Sequence, residues 1–310
     1  MANDRSVGTE VPKKGWLTVR LRAMEPRTLP VSLLPVWIAM TAALGHVPMS
    51  QWPWDLILLC SAGVLCLHAF ANLINDYFDF RYGVDQQVSA EGRLSGWTLG
   101  RGDMLPRQVL AQAMVCLFIG LVCGLCLALG RGPEVLAMAL AGLAMAYSYT
   151  GPPLKLKYHA LGEVVVFLIF GPILMLSAAY VASGHFNPRA ALLSIPIGLT
   201  TSAILMGNNM RDAQADRQAG IFTLAHIASG RLVRLMYVAV QVACVGLLAC
   251  YAMLGLLPQW LLACPLLLVL LTKPFRAVWR NQRRLDMVEL TAQFETILLT
   301  IVLAAMLLAR

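Results

Sequence analysis

Nine stretches of this chain, at about 28–46, 54–75, 106–129, 134–150, 161–183, 189–207, 232–256, 258–273 and 290–309, are almost continuously apolar. No other feature constrains the fold as strongly. A hydrocarbon core about 30 Å thick takes about 20 residues of helix to cross, and only a helix or a closed barrel satisfies its own backbone there. The runs are too long for barrel strands, so the expected fold is all-α: a polytopic membrane protein of about nine transmembrane helices. Pro30, Pro35, Pro172, Pro196 and Pro265 fall inside runs, which a bundle tolerates where neighbouring helices re-satisfy the freed backbone groups. Composition agrees, since 59% of the 310 residues are hydrophobic and 13% charged, against about 25% charged in a soluble domain.

The formal net charge of +8 does not point to nucleic acid, because the basic residues are sorted by loop. Apart from Arg131, Arg189 and Arg310, every one of the 24 Lys and Arg falls before residue 28 or in the segments 76–107, 150–160, 208–234 and 273–284. The positive-inside rule makes that side cytoplasmic. Residues 1–27 then form a cytoplasmic N-terminal segment and 28–310 a single transmembrane domain, with a bacterial inner membrane as the expected location. The opening MANDRSVGTEVPKKGW has no apolar core and no small-residue cleavage site, so the first span is expected to be retained. RAVWRNQRR, 276–284, reads as an orientation signal and headgroup contact. All eight cysteines lie in apolar runs. Cys123 and Cys126, spaced C-x-x-C in LVCGLCLALG, lack a second pair or a nearby histidine, so they read as small core- or lipid-facing residues.

Two clusters break the apolar pattern. In NLINDYFDFRYGVD, 72–85, a helix at about 100° per residue gathers His68, Asn72, Asn75, Asp76 and Asp79 within about 100° of arc. In GNNMRDAQADRQAG, 207–220, Asn208, Asp212 and Asp216 follow i, i+4, i+8 along one face. Both clusters open a long loop on the basic side, so the chain reads as a pseudo-repeat whose halves each contribute an Asn/Asp helix end. Carboxylates crowded at a bundle repel unless paired or bound to metal. Oxygen ligands without clustered Cys or His suit Mg²⁺, which takes a few carboxylates and completes its octahedron with water and phosphate oxygens. Opposed clusters therefore suggest a diphosphate held between them through Mg²⁺. Between them, YSYTGPPLKLKYHALGE, 147–163, ends a helix at Gly151-Pro152-Pro153 and then supplies Lys155 and Lys157. The lysines suit either a leaving diphosphate or the membrane surface. Glu163 reads as a helix N-terminal residue or a part of the site.

These motifs resemble the UbiA superfamily of intramembrane aromatic prenyltransferases, and the resemblance covers about residues 23–305. NDYFDFRYGVD is similar to the first Asp-rich motif and NNMRDAQADRQAG to the second; YTGPPLKLKYHALGEVVVFLIFGP and EPRTLPVSLLPV look closest to the 1,4-dihydroxy-2-naphthoate polyprenyltransferase branch. The resemblance implies helices around a central cavity with a lateral portal, and Mg²⁺-dependent transfer of a polyprenyl group from its diphosphate to a small aromatic acceptor at the lipid bilayer. It implies Asp76, Asp79, Asp212 and Asp216 as catalytic residues, and the same four with Asp85 and Asn208 as metal ligands. It assigns diphosphate and prenyl binding to Asn72, Asn75, Arg81, Tyr147, Tyr149, Lys155, Lys157, Asn208 and Arg211. Departures from the family are Glu25, where Arg is frequent, the stretch QQVSAEGRLSGWTLGRGD after Asp85, and Ile221-Phe222-Thr223-Leu224 after Gly220. They leave room for an acceptor other than dihydroxynaphthoate. A CDP-alcohol phosphatidyltransferase needs a contiguous Asp-Gly-x-x-Ala-Arg string, which is absent. A cation-coupled transporter predicts acidic residues near the bilayer midplane.

Overall fold

The computed structural model describes residues 15–84, 98–228, 230–280 and 285–309. Among them the fold is all-helical: α1 Trp16–Ala23, α2 Pro30–Ala43, α3 Trp54–Arg81, α4 Pro106–Arg131, α5 Pro133–Thr150, α6 Gly162–Ser183, α7 Pro188–Gln218, α8 Gly230–Met253, α9 Gln259–Trp279 and α10 Leu285–Leu308. Seven of these, α3, α4 and α6 to α10, contain stretches long and apolar enough to cross a membrane. The first and fourth expected spans exist as helices but do not qualify: α2 has 14 residues and α5 has 18, starting on Pro-Glu and ending on Tyr-Ser-Tyr-Thr.

Short α2 is nonetheless the centre of the bundle. Val36, Ile38, Ala39 and Met40 are completely buried, and α2 packs on α6, α7 and α10. Its hydrophobicity on all sides fits burial by protein rather than lipid. Helices α6 and α7 cross at Gly171 and Gly198. A Cβ on Gly171 would stand 2.6 Å from the Ser194 carbonyl oxygen, and one on Gly198 would stand 2.8 Å from that of Phe167. Only glycine permits that approach, the small-residue logic of membrane helix packing. Beside it α6 widens into a π turn, Ile169–Ile173, which holds Pro172 and turns Ile169, Phe170 and Ile173 onto a central cavity.

The length of α3 sets the site. At 1.5 Å per residue its 28 residues reach about 42 Å, well beyond a core of about 30 Å. Its first turn is anchored by Trp54 packed between Trp37 and Trp52, and the Trp54 indole donates to the Met49 carbonyl at 3.0 Å. Aromatic rings of this kind favour the membrane interface. With one end pinned there, the last three turns at the other end can carry Asn72 to the edge of the hydrocarbon and Asn75 to Asp79 beyond it. The 31 residues of α7 do the same for Asn208 to Asp216. The helix therefore continues through each acidic cluster, beyond the apolar boundaries at 75 and 207.

Candidate active site

One cavity of about 480 Å³ runs into the bundle from the acidic helix ends. All five polar residues of the α3 face line it, as do Asn208, Arg211, Asp212 and Asp216 from α7. The period of each helix aligns its own residues, and the packing of the bundle brings the two faces to one cavity. Deeper in, the walls turn apolar, with Val64, Leu67, Met138, Leu143, Val166 and Ile173 among them.

The carboxylates and amides of α3 are held by other elements. Asp79 pairs with Lys157, Nζ to Oδ2 at 2.6 Å, while the Tyr158 hydroxyl donates to Oδ1. Asp76 Oδ2 accepts from the Thr98 hydroxyl at 3.0 Å. Asn75 Oδ1 accepts from Thr150 at 2.6 Å, and the Asn72 amide donates to the Thr28 hydroxyl at 3.0 Å and the Met24 carbonyl at 3.2 Å. On α7, Arg211 makes a two-pronged pair with its neighbour Asp212, at 2.8 and 2.7 Å. Burial alone would pull the Lys157 ammonium down, but the charge of Asp79 more than reverses this and holds it above its ordinary value. Burial and then the Asp79 charge push the Tyr158 phenol up. Burial also raises the Glu25 carboxyl, with Lys157 opposing and Asp79 adding.

The 151–161 loop delivers Lys157 and Tyr158. Lys155 and Ala160 are left-handed, at φ of 47° and 55°, and bracket a short 3-10 turn at Leu156–Tyr158. The loop is clasped to the segment after α7: the Ala160 amide donates to Phe222 at 2.8 Å, and the Phe222 amide to Tyr158 at 3.3 Å. These bonds form an isolated bridge, and the described residues contain no β-strand.

Several expected residues lie elsewhere. Arg81 is exposed on the far side of α3 with its guanidinium against Tyr77; nine residues from Asn72 at about 100° each is half a turn of arc away. Tyr147 is exposed and packs edge-on against Phe78, while Tyr149, on the opposite face of α5, lines the cavity. The left-handed turn sends Lys155 over the Tyr82 ring, 3.8 Å from its centroid. Asp85 lies outside the described residues, as do the first fourteen residues and 281–284 of the basic run. Glu163 is buried but is not on the cavity wall; its Oε1 accepts from Asn209 at 2.8 Å. Thr98, Thr150, Tyr158, Thr28 and Ser32 were not anticipated. Their only sequence signal is polarity, and each reaches the site from a distant segment. Glu25 lines the cavity at a left-handed φ of 51°, and its departure from the family pattern was the one sign of it. All eight cysteines are free.

The chain matches the UbiA prenyltransferase family over residues 32–308. It belongs to that family. Its relatives include proteins named UbiA prenyltransferase domain-containing protein 1: from Xenopus tropicalis, 33% identical over 69% of this chain and 61% of the relative; from Danio rerio, 34% identical over 69% and 62%; and from Homo sapiens, 31% identical over 73% and 66%. The chain spans about three fifths of the length of the first two. These relatives do not carry the dihydroxynaphthoate branch in their names, and as animal proteins they lend no support to a bacterial location. The UbiA fold is shared with solved structures. A UbiA homolog from Archaeoglobus fulgidus bound to DMAPP and Mg²⁺ superposes with a TM-score of 0.65 at 14% identity, covering 92% of this chain and 99% of that one. The apo homolog from Aeropyrum pernix K1 gives 0.66 at 17%, covering 90% and 97%.

Proposed function

We propose that this UbiA-family protein transfers a polyprenyl group from its diphosphate to an electron-rich aromatic ring, with Mg²⁺ as the cofactor. The observation that carries this reading is one cavity with two Asn/Asp helix ends at its mouth and an apolar interior behind them. A charged headgroup and a greasy tail need both. Solved homologs of the same fold are described as bound to DMAPP or GPP with Mg²⁺.

The donor set fits such a cation. Asp76, Asp79, Asn208, Asp212 and Asp216 offer hard oxygens. Among the described residues no three His, Cys, Asp or Glu side chains are close enough to cage a metal alone, which suits an ion that keeps waters and shares phosphate oxygens. When bound, Mg²⁺ supplies charge neutralisation for the departing diphosphate. Asp76, Asp79, Asp212 and Asp216, with Asn208, would hold it. Lys157 and Arg211 stand beside these carboxylates to meet phosphate oxygens directly, each having a carboxylate partner it can exchange for the anion. Asn75, its Oδ1 held by Thr150, presents its NH₂ to the same headgroup, while Asn72, with its amide protons given to Thr28 and Met24, presents Oδ1. The apolar interior takes the prenyl chain and excludes water from the allylic carbon.

The acceptor in this reading is 1,4-dihydroxy-2-naphthoate or a related quinone precursor. Glu25 favours a second choice within the class: an acidic side chain on the cavity wall, pushed towards its neutral form by burial, offers an acceptor carboxylate no counter-charge and admits a neutral phenol or quinol. The acidic ends and basic loops are assigned to the cytoplasmic side, with 28–310 as one membrane domain. Purified protein incubated with Mg²⁺, a series of polyprenyl diphosphates and both acidic and neutral aromatic acceptors should yield a prenylated product. Absence of a Mg²⁺-dependent product from every pair would refute the reading.

A further inference from the structure

His68 is the one histidine on the cavity wall, one turn deeper along α3 than Asn72. Its ring is fixed on two sides. Nδ1 lies 2.8 Å from the hydroxyl oxygen of Ser32 on α2, and Phe170, from the π turn of α6, packs edge-on with centroids 5.2 Å apart. The Ser32 hydroxyl also lies 3.0 Å from the Leu29 carbonyl, to which it can give its single proton. In that arrangement the Ser32 oxygen accepts from His68, Nδ1 carries the imidazole proton and Nε2 keeps a bare lone pair. Among the described residues Nε2 meets no partner. A fixed acceptor with apolar neighbours such as Val64, Leu67 and Phe170 calls for a hydrogen-bond donor from a ligand.

We propose that His68 holds this Nδ1–H tautomer and that its Nε2 accepts a hydrogen bond from a ring hydroxyl of the aromatic acceptor, and so selects acceptors with a free hydroxyl and sets which ring carbon faces the prenyl group. The inference rests on the aromatic-acceptor reading above. A polyprenyl chain has no donor to offer Nε2, and a diphosphate oxygen would be repelled by its lone pair, so the aromatic partner is the substrate this atom suits. At 1.5 Å per residue His68 sits about 6 Å along the helix from Asn72, about the breadth of one aromatic ring behind the headgroup.

The test has a binding arm that needs neither turnover nor metal. Full-length protein in detergent is titrated with 1-naphthol and with 1-methoxynaphthalene, which lacks the donor. Wild type should prefer 1-naphthol about tenfold, the worth of one good hydrogen bond. His68→Phe should lose that preference and His68→Gln, whose amide can still accept, should keep part of it. Ser32→Ala, which unlocks the tautomer, should weaken it several-fold and serves if His68→Phe does not fold. The ¹⁵N spectrum should show Nε2 unprotonated in the free protein. In turnover, His68→Phe should raise KM for the acceptor about tenfold and leave KM for the prenyl diphosphate unchanged. An undiminished naphthol preference in His68→Phe, or a proton on Nε2, overturns the proposal. A wild type that turns over no acceptor sinks the proposed function instead, while the naphthol titration still decides His68.

Discussion

At the end of α3, Asp76, Asp79 and Asn75 are gripped by Thr98, Lys157, Tyr158 and Thr150, from segments 22 to 79 residues away. At the end of α7, Asp212 takes both prongs of Arg211, its immediate neighbour. The two ends face one cavity with similar spacing, yet their carboxylates are held in different ways. The first is a tertiary assembly that depends on the 151–161 loop. The second carries a counter-charge within the helix. A local pair costs little chain entropy to assemble, whereas a tertiary one makes the loop part of the site.

The sharpest way to break the comparison is to remove one carboxylate from each end. Asp76→Ala and Asp212→Ala should each cut turnover at least about a hundredfold, the usual cost of losing a preorganised electrostatic contact, with helicity and monodispersity unchanged. Near-wild-type turnover in both would end the claim that the two ends work together. The second contrast separates tertiary from local. Lys157→Met should destabilise by about 1.5–3 kcal/mol, the range for hydrogen bonds to charged groups, and open the 151–161 loop to protease. Arg211→Met should leave that loop protected and raise KM for the prenyl diphosphate. Equal proteolysis of the two variants would contradict the distinction.

The pH dependence is a subtler check. Lys157 has an ordinary pKa of 10.5 and is raised by Asp79 in the fold. A raised base contributes stability that is complete below its unfolded value and is lost only as pH climbs through the folded one. Loop protection should therefore be flat between about pH 7 and pH 10. A loss beginning near neutrality would mean that the pair does not hold the loop. The smallest effect should come from Thr150→Ala. Losing its hydroxyl contact to Asn75 should cost about 0.5–1.5 kcal/mol and lower activity a few-fold, measured as a Tm shift of a few degrees.

The polar stripe of α3 was legible in the sequence because one helix obeys one period. The same period, carried on to Arg81, puts that residue on the far side of the helix, and the two-residue step from Tyr149 turns Tyr147 away. Lys155 could not be placed that way, because a left-handed residue in a loop has no period. Thr98 and Thr150 escaped because hydroxyls that hold a carboxylate or an amide across the bundle leave no spacing to count. The membrane class followed from hydropathy. Of the nine expected spans, seven recur as helices long and apolar enough to cross, and α2 and α5 are apolar helices of 14 and 18 residues.

The bridge between Tyr158–Ala160 and Phe222 has a consequence for solvent exchange. Two amide protons, those of Ala160 and Phe222, are tied into cross-loop hydrogen bonds in a region where most backbone groups belong to turns. Deuterium should enter them slowly while the bridge is shut and quickly when it parts. Nature has thus placed two clock hands on the site's own clasp, and their rates would report how often the two halves of the mouth let go of each other.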